Sequence, residues 1–337
     1  MTRAVVRFRR RANGDRLAGR DTSWTEMSER IPLLIDTDPG VDDALALLMA
    51  FNDDAHQVVG LTIAAGNVGL RHTVRNALKL CEVAGVDIPV YAGAPAPLLH
   101  PAPDAGYVHG EDGFGDIGYP APRRQAEAEH AALAILRLSH EHAGRLLLVA
   151  LGPLTNLALA FKLDPTLPQR VGRLVVMGGA VTGHGNITPA AEFNFYFDPE
   201  AAHLVFEAFE RIDVADWEAT IAHGLHHDRV ADWLQADSPR ARFYAGISEK
   251  TRLWSIDRRG DHWYAADAVA MAFALAPDGA LELAERPLSV ELAGIHSRGA
   301  SVVDWRREGG RPDNAVILLR YDQARFETLV RGALAAG

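Results

Sequence analysis

The sequence predicts an α/β fold: an open, mainly parallel, Rossmann-like sheet with helices on both faces. Three observations carry this. Short apolar runs alternate with amphipathic helical stretches from Ile31 onward. Several of those runs stop at a glycine, as at Gly66-Asn67, Gly152-Pro153 and Gly178-Gly179, where a strand would give way to a loop. The 337 residues, 48% apolar and 23% charged, suffice to bury a large core on both sides of such a sheet.

Element by element, Ile31 to Ile35 reads as a buried strand and Ala44 to Phe51 as the helix after it. Gln57 to Ala64 gives a second strand. Leu70, Val74, Ala77, Leu78, Cys81 and Ala84 then share one helical face. Strands follow at Ile88 to Tyr91 and Arg145 to Ala150, a helix at Thr155 to Leu163, and strands at Leu174 to Met177 and Ile212 to Ala215. Between the last two, Asp198 is set to cap a helix that has Pro199 in its first turn. Ala219 to Leu275 reads as helical, with late strands at Pro287 to Leu292, Ser301 to Asp304 and Ala315 to Arg320. Asp322 caps a final helix packed through Phe326, Leu329, Val330 and Leu334.

Composition excludes several function classes. A net charge of −10 offers no positive field to nucleic acid. No stretch reaches the roughly 18 apolar residues of a membrane span. One cysteine, Cys81, leaves no internal disulfide. Residues 1–26 differ from the rest, with Arg3, Arg7, Arg9, Arg10, Arg11, Arg16 and Arg20 and no hydrophobic period. They read as a disordered basic extension, with Met27 opening a single domain over 27–337. The twin arginines lack the apolar segment of an export signal, so the expected location is the cytoplasm.

Four aspartates concentrate chemistry at the first strand end, in Asp36-Thr37-Asp38-Pro39-Gly40-Val41-Asp42-Asp43-Ala44. A helix N-terminus offsets part of their repulsion, about 0.3–1 kcal/mol per carboxylate. A hard divalent cation offsets far more. In an open α/β sheet this is also where ligands gather, so the cluster reads as a metal centre. Other polar residues are expected at the same edge: Asn67, His109, Thr155-Asn156, Asn186, Glu192 and Asn194. Amides and carboxylates in such a row suit a polyhydroxylated ligand, because they both donate to and accept from hydroxyls. His223, His226 and His227 lack cysteine partners and read as a solvated helix face rather than a zinc site.

From about Ile31 to Leu334 the chain resembles the inosine–uridine-preferring nucleoside hydrolases, which cleave ribonucleosides to ribose and free base. The aspartate motif anchors the resemblance. Leu151-Gly152-Pro153-Leu154-Thr155-Asn156, Met177-Gly178-Gly179, Ala191-Glu192-Phe193-Asn194 and Asp198-Pro199-Glu200-Ala201-Ala202 support it. The resemblance implies the nucleoside hydrolase fold and a Ca²⁺ ion held by Asp38, Asp43, the Thr155 carbonyl and Asp267, with Asp36 orienting them. It places Asp42, Asn67 and Asn194 on the ribose 2′- and 3′-hydroxyls, Asn186 and Glu192 on the 5′-hydroxyl, and Met177 along the sugar. Asp38 becomes the general base on a water held by the cation. It also implies a homodimer or homotetramer working in nucleoside salvage.

One position departs from the pattern. Where pyrimidine- and purine-cleaving members carry a histidine before the last metal-binding aspartate, this chain has Ala266 before Asp267. An alanine side chain neither donates nor accepts a proton. His109 and His262 are then candidates to act on the leaving base, and Trp254, Trp263 or Trp217 to stack on it. Stacking favours purine nucleosides or an unusual base. Two rival readings stand beside this one: a nucleoside-binding protein with little turnover, and a Mg²⁺-dependent phosphatase of the haloacid-dehalogenase type. The phosphatase needs a hydroxyl residue that Pro39-Gly40-Val41 lacks and a later lysine, for which Lys162 and Lys250 have no convincing context.

Overall fold

Strand β1 (Ile31–Thr37) is buried at every residue after Ile31, as a run with helices on both sides must be. In this computed structural model, which describes residues 30–103 and 106–337, the chain continues through α1 (Val41–Phe51), β2 (His56–Ile63), α2 (Leu70–Ala84) and β3 (Val90–Ala92). Next come the one-turn α3 (Gly106–His109), α4 (Ala131–Glu141), β4 (Leu146–Ala150), α5 (Thr155–Leu163) and β5 (Val171–Met177). Then follow α6 (Phe193–Phe197), α7 (Pro199–Ala208), β6 (Ile212–Ala215), α8 (Trp217–Ala222), β7 (Leu225–His226), α9 (His227–Trp233) and α10 (Pro239–Arg259). The last elements are β8 (His262–Trp263), α11 (Ala266–Leu275), β9 (Ala280–Arg286), β10 (Leu288–Val290), β11 (Ser301–Val303), β12 (Ala315–Tyr321) and α12 (Gln323–Ala335). The expected basic extension over 1–26 and its boundary at Met27 lie outside the described residues.

Eight strands form the central sheet in the order β3-β2-β1-β4-β5-β6-β12-β9. Its pairings are parallel except for β9, which runs antiparallel to β12 at one edge. The predicted fold class is therefore the observed one. The chain steps outward from β1 to β3 and resumes on the other side of β1 with β4. This reversal makes the end of β1 the crevice in which open α/β sheets bind ligands.

Helices cover both faces. Apolar residues of α4, α5 and α7 pack on one side, and those of α1, α2, α10, α11 and α12 on the other. Among these, α11 is buried along its whole length, and Ala44 to Leu48 of α1 are fully buried. Each carries acid in its first turn: Asp42 and Asp43 in α1, Asp267 in α11. Two apolar helices packed side by side thus bring three carboxylates to one place. Asp198 and Asp322 cap their helices as expected, accepting from Ala201 and Arg325 N–H at 3.1 Å each.

Three elements differ from expectation. The helical region over Ala219 to Leu275 is four helices interrupted by the short antiparallel strands β7 and β8; Gly260, at φ +75°, ends α10. Strand β9 has a helix-forming composition, Ala-Leu-Glu-Leu-Ala-Glu-Arg, which pairing with β12 overrides. The start of α4 is concealed because its cap is His130, whose ring accepts from Ala132 N–H at 3.1 Å, a residue type that sequence rules do not expect at a cap.

Candidate active site

The end of β1 fixes the acids in depth. Asp36, inside the strand, accepts from the Asn156 amide at 2.9 Å, and Asn156 in turn accepts from Ala94 N–H at 2.8 Å. Asp38 lies between the turns after β2 and β4. A Cβ on Gly66 would stand 2.0 Å from its Oδ2, and one on Gly152 would stand 2.2 Å from its Oδ1. Only glycine at both positions leaves room for the carboxylate. Asn67 N–H completes the hold, donating to Asp38 Oδ2 at 2.6 Å. Asp43 takes the Gly40 N–H and the Asn67 amide, each at 2.9 Å, and the Thr37 hydroxyl.

Asp42, Asp43 and Asp267 each bring a carboxylate oxygen within 4.8 Å of the others. Asp38 lies close enough that its charge and theirs repel. Burial pushes Asp36 up to about 7 and Asp42 up to about 6. Burial, reinforced by neighbouring carboxylates, also lifts Asp38, Asp43 and Asp267 above the ordinary range. A hard cation among these oxygens would reverse that shift. The donor set, all carboxylate oxygens, fits Ca²⁺ or Mg²⁺ rather than a metal that prefers sulfur or imidazole. Thr155 is buried in the first turn of α5, its hydroxyl bonded to Asp198 at 2.7 Å.

Above the acids opens a cleft with about 820 Å³ of empty space. Asp42, Asn67, Met177, Asn186, Glu192, Asn194 and Asp267 line it together with His109 and Trp254. Several of these groups already have structural work. The Asn194 amide donates to Leu151 O at 2.6 Å and to Met177 Sδ at 3.2 Å, leaving its oxygen to accept. Asn186 accepts from Phe193 N–H at 2.8 Å, leaving its amide to donate. Glu192 caps α6, accepting from Asn194 N–H at 2.9 Å and Phe195 N–H at 3.3 Å, and also from Gly179 N–H at 2.9 Å. Burial nonetheless pushes Glu192 up to about 7.

The other end of the cleft is aromatic. Trp254 meets Tyr107 edge-on at 6.4 Å and Trp217 meets Tyr264 at 6.1 Å; Trp263 and Ala266 also line the space. Burial pushes His109 down to about 4. Its Nδ1 accepts from Val41 N–H at 3.2 Å and lies 3.9 Å from Asp42, so the ring is neutral with its proton on Nε2. His262 is exposed and stacked edge-on against His226 at 5.5 Å, outside the cleft lining.

One expectation is corrected here. His223 does not sit on a solvated face: it is 3% exposed, and its ring bonds Ala219 O at 2.7 Å and the backbone of Tyr321. His227 is likewise buried. Lys250, which the phosphatase reading would bring to the site, pairs with Asp116 at 2.5 Å, and Lys162 is exposed. Sequence reasoning also missed Tyr107, Tyr264 and Arg259. Thr251, Trp254, Ser255 and Arg259 all line the cleft from α10; their spacing of three, four and eight residues is the signal that marks one helix face.

The chain matches the model of the inosine-uridine preferring nucleoside hydrolase family over residues 33–328. It is 39% identical over 249 residues to uridine nucleosidase 1 of Arabidopsis thaliana, covering 73% of this chain and 74% of that one. It is 32% identical to the pyrimidine-specific ribonucleoside hydrolase RihB of Escherichia coli, over 90% of this chain and 96% of that one. Among solved structures it resembles an inosine-guanosine nucleoside hydrolase, at a TM-score of 0.84 and 30% identity, over 92% of this chain and all of that one. A purine-preferring ribonucleoside hydrolase from Gardnerella vaginalis gives 0.83 and 27%, over 90% and 99%.

Proposed function

Because the chain belongs to the inosine–uridine preferring nucleoside hydrolase family, we propose that it is a Ca²⁺-dependent ribonucleoside hydrolase in which Asp38 is the general base. The enzyme class is that of its relatives, N-ribosyl hydrolase. The observation that carries the finer reading is the clamp on Asp38: Gly66 and Gly152 pack against its carboxylate oxygens and Asn67 N–H bonds one of them, so the carboxylate is closely held beside the acids that line the cleft. A base so fixed loses no entropy on reaching for a proton.

The cation would be held by Asp38, Asp43, Asp267 and the Thr155 carbonyl, and when bound it supplies a Lewis acid and an anchor for a vicinal diol. This chain's residues do the rest. Asn67, the Asn194 oxygen and Asp42 take the ribose 2′- and 3′-hydroxyls, and the Asn186 amide and Glu192 take the 5′-hydroxyl. As the C1′–N bond lengthens, the ribosyl ring gains positive charge, as in glycoside hydrolysis generally. The surrounding carboxylates favour that charge. Water adds at C1′, and Asp38 receives its proton.

At the other end, Trp254, Tyr107, Trp217 and Tyr264 line the cleft, and aromatic side chains suit the flat face of a purine. Purine nucleosides are therefore the proposed preferred substrates, although relatives include pyrimidine-specific enzymes. A cytoplasmic homodimer or homotetramer serving nucleoside salvage belongs to the same proposal, and light scattering tests the assembly. The deciding experiment is release of reducing sugar from inosine, guanosine, uridine and cytidine, with and without a chelator. Purines should react fastest, chelation should stop the reaction and Ca²⁺ should restore it. Full turnover in chelator would remove the cation from the reaction, and a clear preference for uridine would remove the purine assignment.

A further inference from the structure

The short strands β7 and β8 carry a pair of imidazoles that the cleft does not use. Leu225 pairs with Trp263 and His226 with His262. Side chains alternate between the faces of a strand, so Leu225 and Trp263 go into the core while His226 and His262 come out to solvent together. The backbone bond from His227 N–H to Asp261 O, at 3.0 Å, marks that adjoining pair as the hydrogen-bonded one. His226 and His262 are then a non-hydrogen-bonded pair, the kind in which opposed Cα atoms are about 4.5 Å apart and side chains lie closest. Their ring centres are 5.5 Å apart, with the planes at 79°. Among the described residues the His262 ring has no hydrogen bond or ion pair. His226 uses only Nδ1, which accepts from Asp228 N–H at 3.3 Å and lies 3.8 Å from the Asp228 carboxylate. In the sequence His226 has no metal-binding partner; the fold supplies one from beyond α10.

We propose that His226 and His262 form a second metal site, outside the cleft, for a borderline transition metal of the Zn²⁺, Ni²⁺ and Cu²⁺ class. Imidazole nitrogen suits these ions, whereas the carboxylates at the end of β1 suit Ca²⁺ or Mg²⁺. Two imidazoles bound to one ion at about 2.1 Å each hold their ring centres roughly 5 Å apart, close to the separation of this pair. When a cation takes Nε2 of His226, the ring proton moves to Nδ1. That gives up a long capping bond and places an N–H beside the Asp228 carboxylate, the usual outer partner of a metal-bound histidine. Among the described residues no third histidine, cysteine or carboxylate completes a three-ligand group with them, so water takes the remaining positions. Tyr264, two residues past His262, lines both this groove and the cleft. An ion joining β7 to β8 therefore fastens the segment that presents Tyr264 to the cleft.

The test needs no substrate. Calorimetric titration of Zn²⁺ into the untagged full-length protein, with Ca²⁺ in excess to occupy the carboxylates, should show one ion bound. His226→Gln and His262→Gln should each weaken it by more than the roughly 10–100-fold that loss of an outer partner costs. His140→Gln, at another exposed histidine beside a carboxylate, should leave it unchanged. Cu²⁺ in place of Zn²⁺ should give an electron paramagnetic resonance spectrum coupled to two imidazole nitrogens, and to one in either single variant. Zn²⁺ should also raise the unfolding midpoint of the wild type and not that of the variants, whose midpoints without zinc should match the wild type because both rings are on the surface. The site is overturned if no Zn²⁺ binds while Ca²⁺ is in excess, or if binding persists unchanged in the double variant His226→Gln/His262→Gln.

Discussion

The end of the cleft proposed to take the sugar and the end proposed to take the base are built by opposite means. The sugar end gathers buried carboxylates from two helix N-termini and one strand end, held by backbone N–H groups and close-fitting glycines. The base end is a frame of aromatic rings around one arginine, with few hydrogen bonds among its parts. A ribose presents fixed hydroxyls, so every donor and acceptor must be in place before it arrives. A base presents a flat face, so a stacking surface tolerates several bases. Family members that differ in base preference can therefore share one sugar site.

If that contrast is right, changes at the sugar end should damage rate and changes at the base end should redistribute specificity. The largest effect belongs to Asp38→Ala: kcat on every nucleoside should fall roughly 10²–10⁴-fold, as for a lost general base. Normal kcat in that variant, at any KM, would remove Asp38 from the mechanism. Asp36→Asn comes next. It lies beneath the site, bonded to the Asn156 amide and close enough for its charge to act on Asp38, and losses for such supporting partners are about 10–100-fold in activity or metal affinity. Calcium titration of the activity would separate the two, and unchanged affinity with unchanged rate would contradict the role. Trp254→Ala should cost about 0.5–1.5 kcal/mol of binding to a stacked base, at most about tenfold in kcat/KM. The loss should be larger for inosine than for cytidine, and an equal loss on both would break the contrast.

The smallest effect provides a control away from the cleft. Asp53 precedes β2 and accepts from the His56 ring at 2.7 Å. Although burial opposes it, the bonds from His56 and Ala55 hold the carboxyl below its ordinary range. A lowered folded-state value means stability that is present above the unfolded carboxylate pKa, about 3.9. It is lost as pH falls through the folded value. Asp53→Asn should therefore destabilise the fold slightly at pH 7, by no more than about 1 kcal/mol, with the difference shrinking as pH falls below the ordinary carboxylate range. Nucleoside turnover should not change; a change in kcat would mean that the far end of the sheet is coupled to the cleft.

The unequal construction also explains what was legible in the sequence. The sugar end lies in contiguous motifs, such as Asp36 to Asp43 and Glu192 to Asn194, because one strand end or helix start supplies several groups at once. The base end was legible only in part. Trp254 could be placed by distance from Ala266, but Arg259 reads as an ordinary basic residue ending a helix until the turn at Gly260 and the antiparallel pairing of β7 with β8 bring Trp217 and Tyr264 against it. Tyr107 shares the one-turn α3 with His109, which the sequence offers as a candidate, and one turn of helix has no period from which to read a further side chain's direction. In the fold, buried strands of the sheet were clear from their apolar runs, whereas edge strand β9 was not. Exposed on one side, with Leu281 and Leu283 facing outward, it carries no pattern that separates it from a helix.

The two glycines flanking Asp38 make the reaction vulnerable to addition rather than removal. Neither Gly66 nor Gly152 offers an atom to a substrate, yet a single methyl on either would occupy space the carboxylate now fills. Screens that look only for lost functional groups would overlook these positions, where the proposed general base depends on room that only a missing side chain provides.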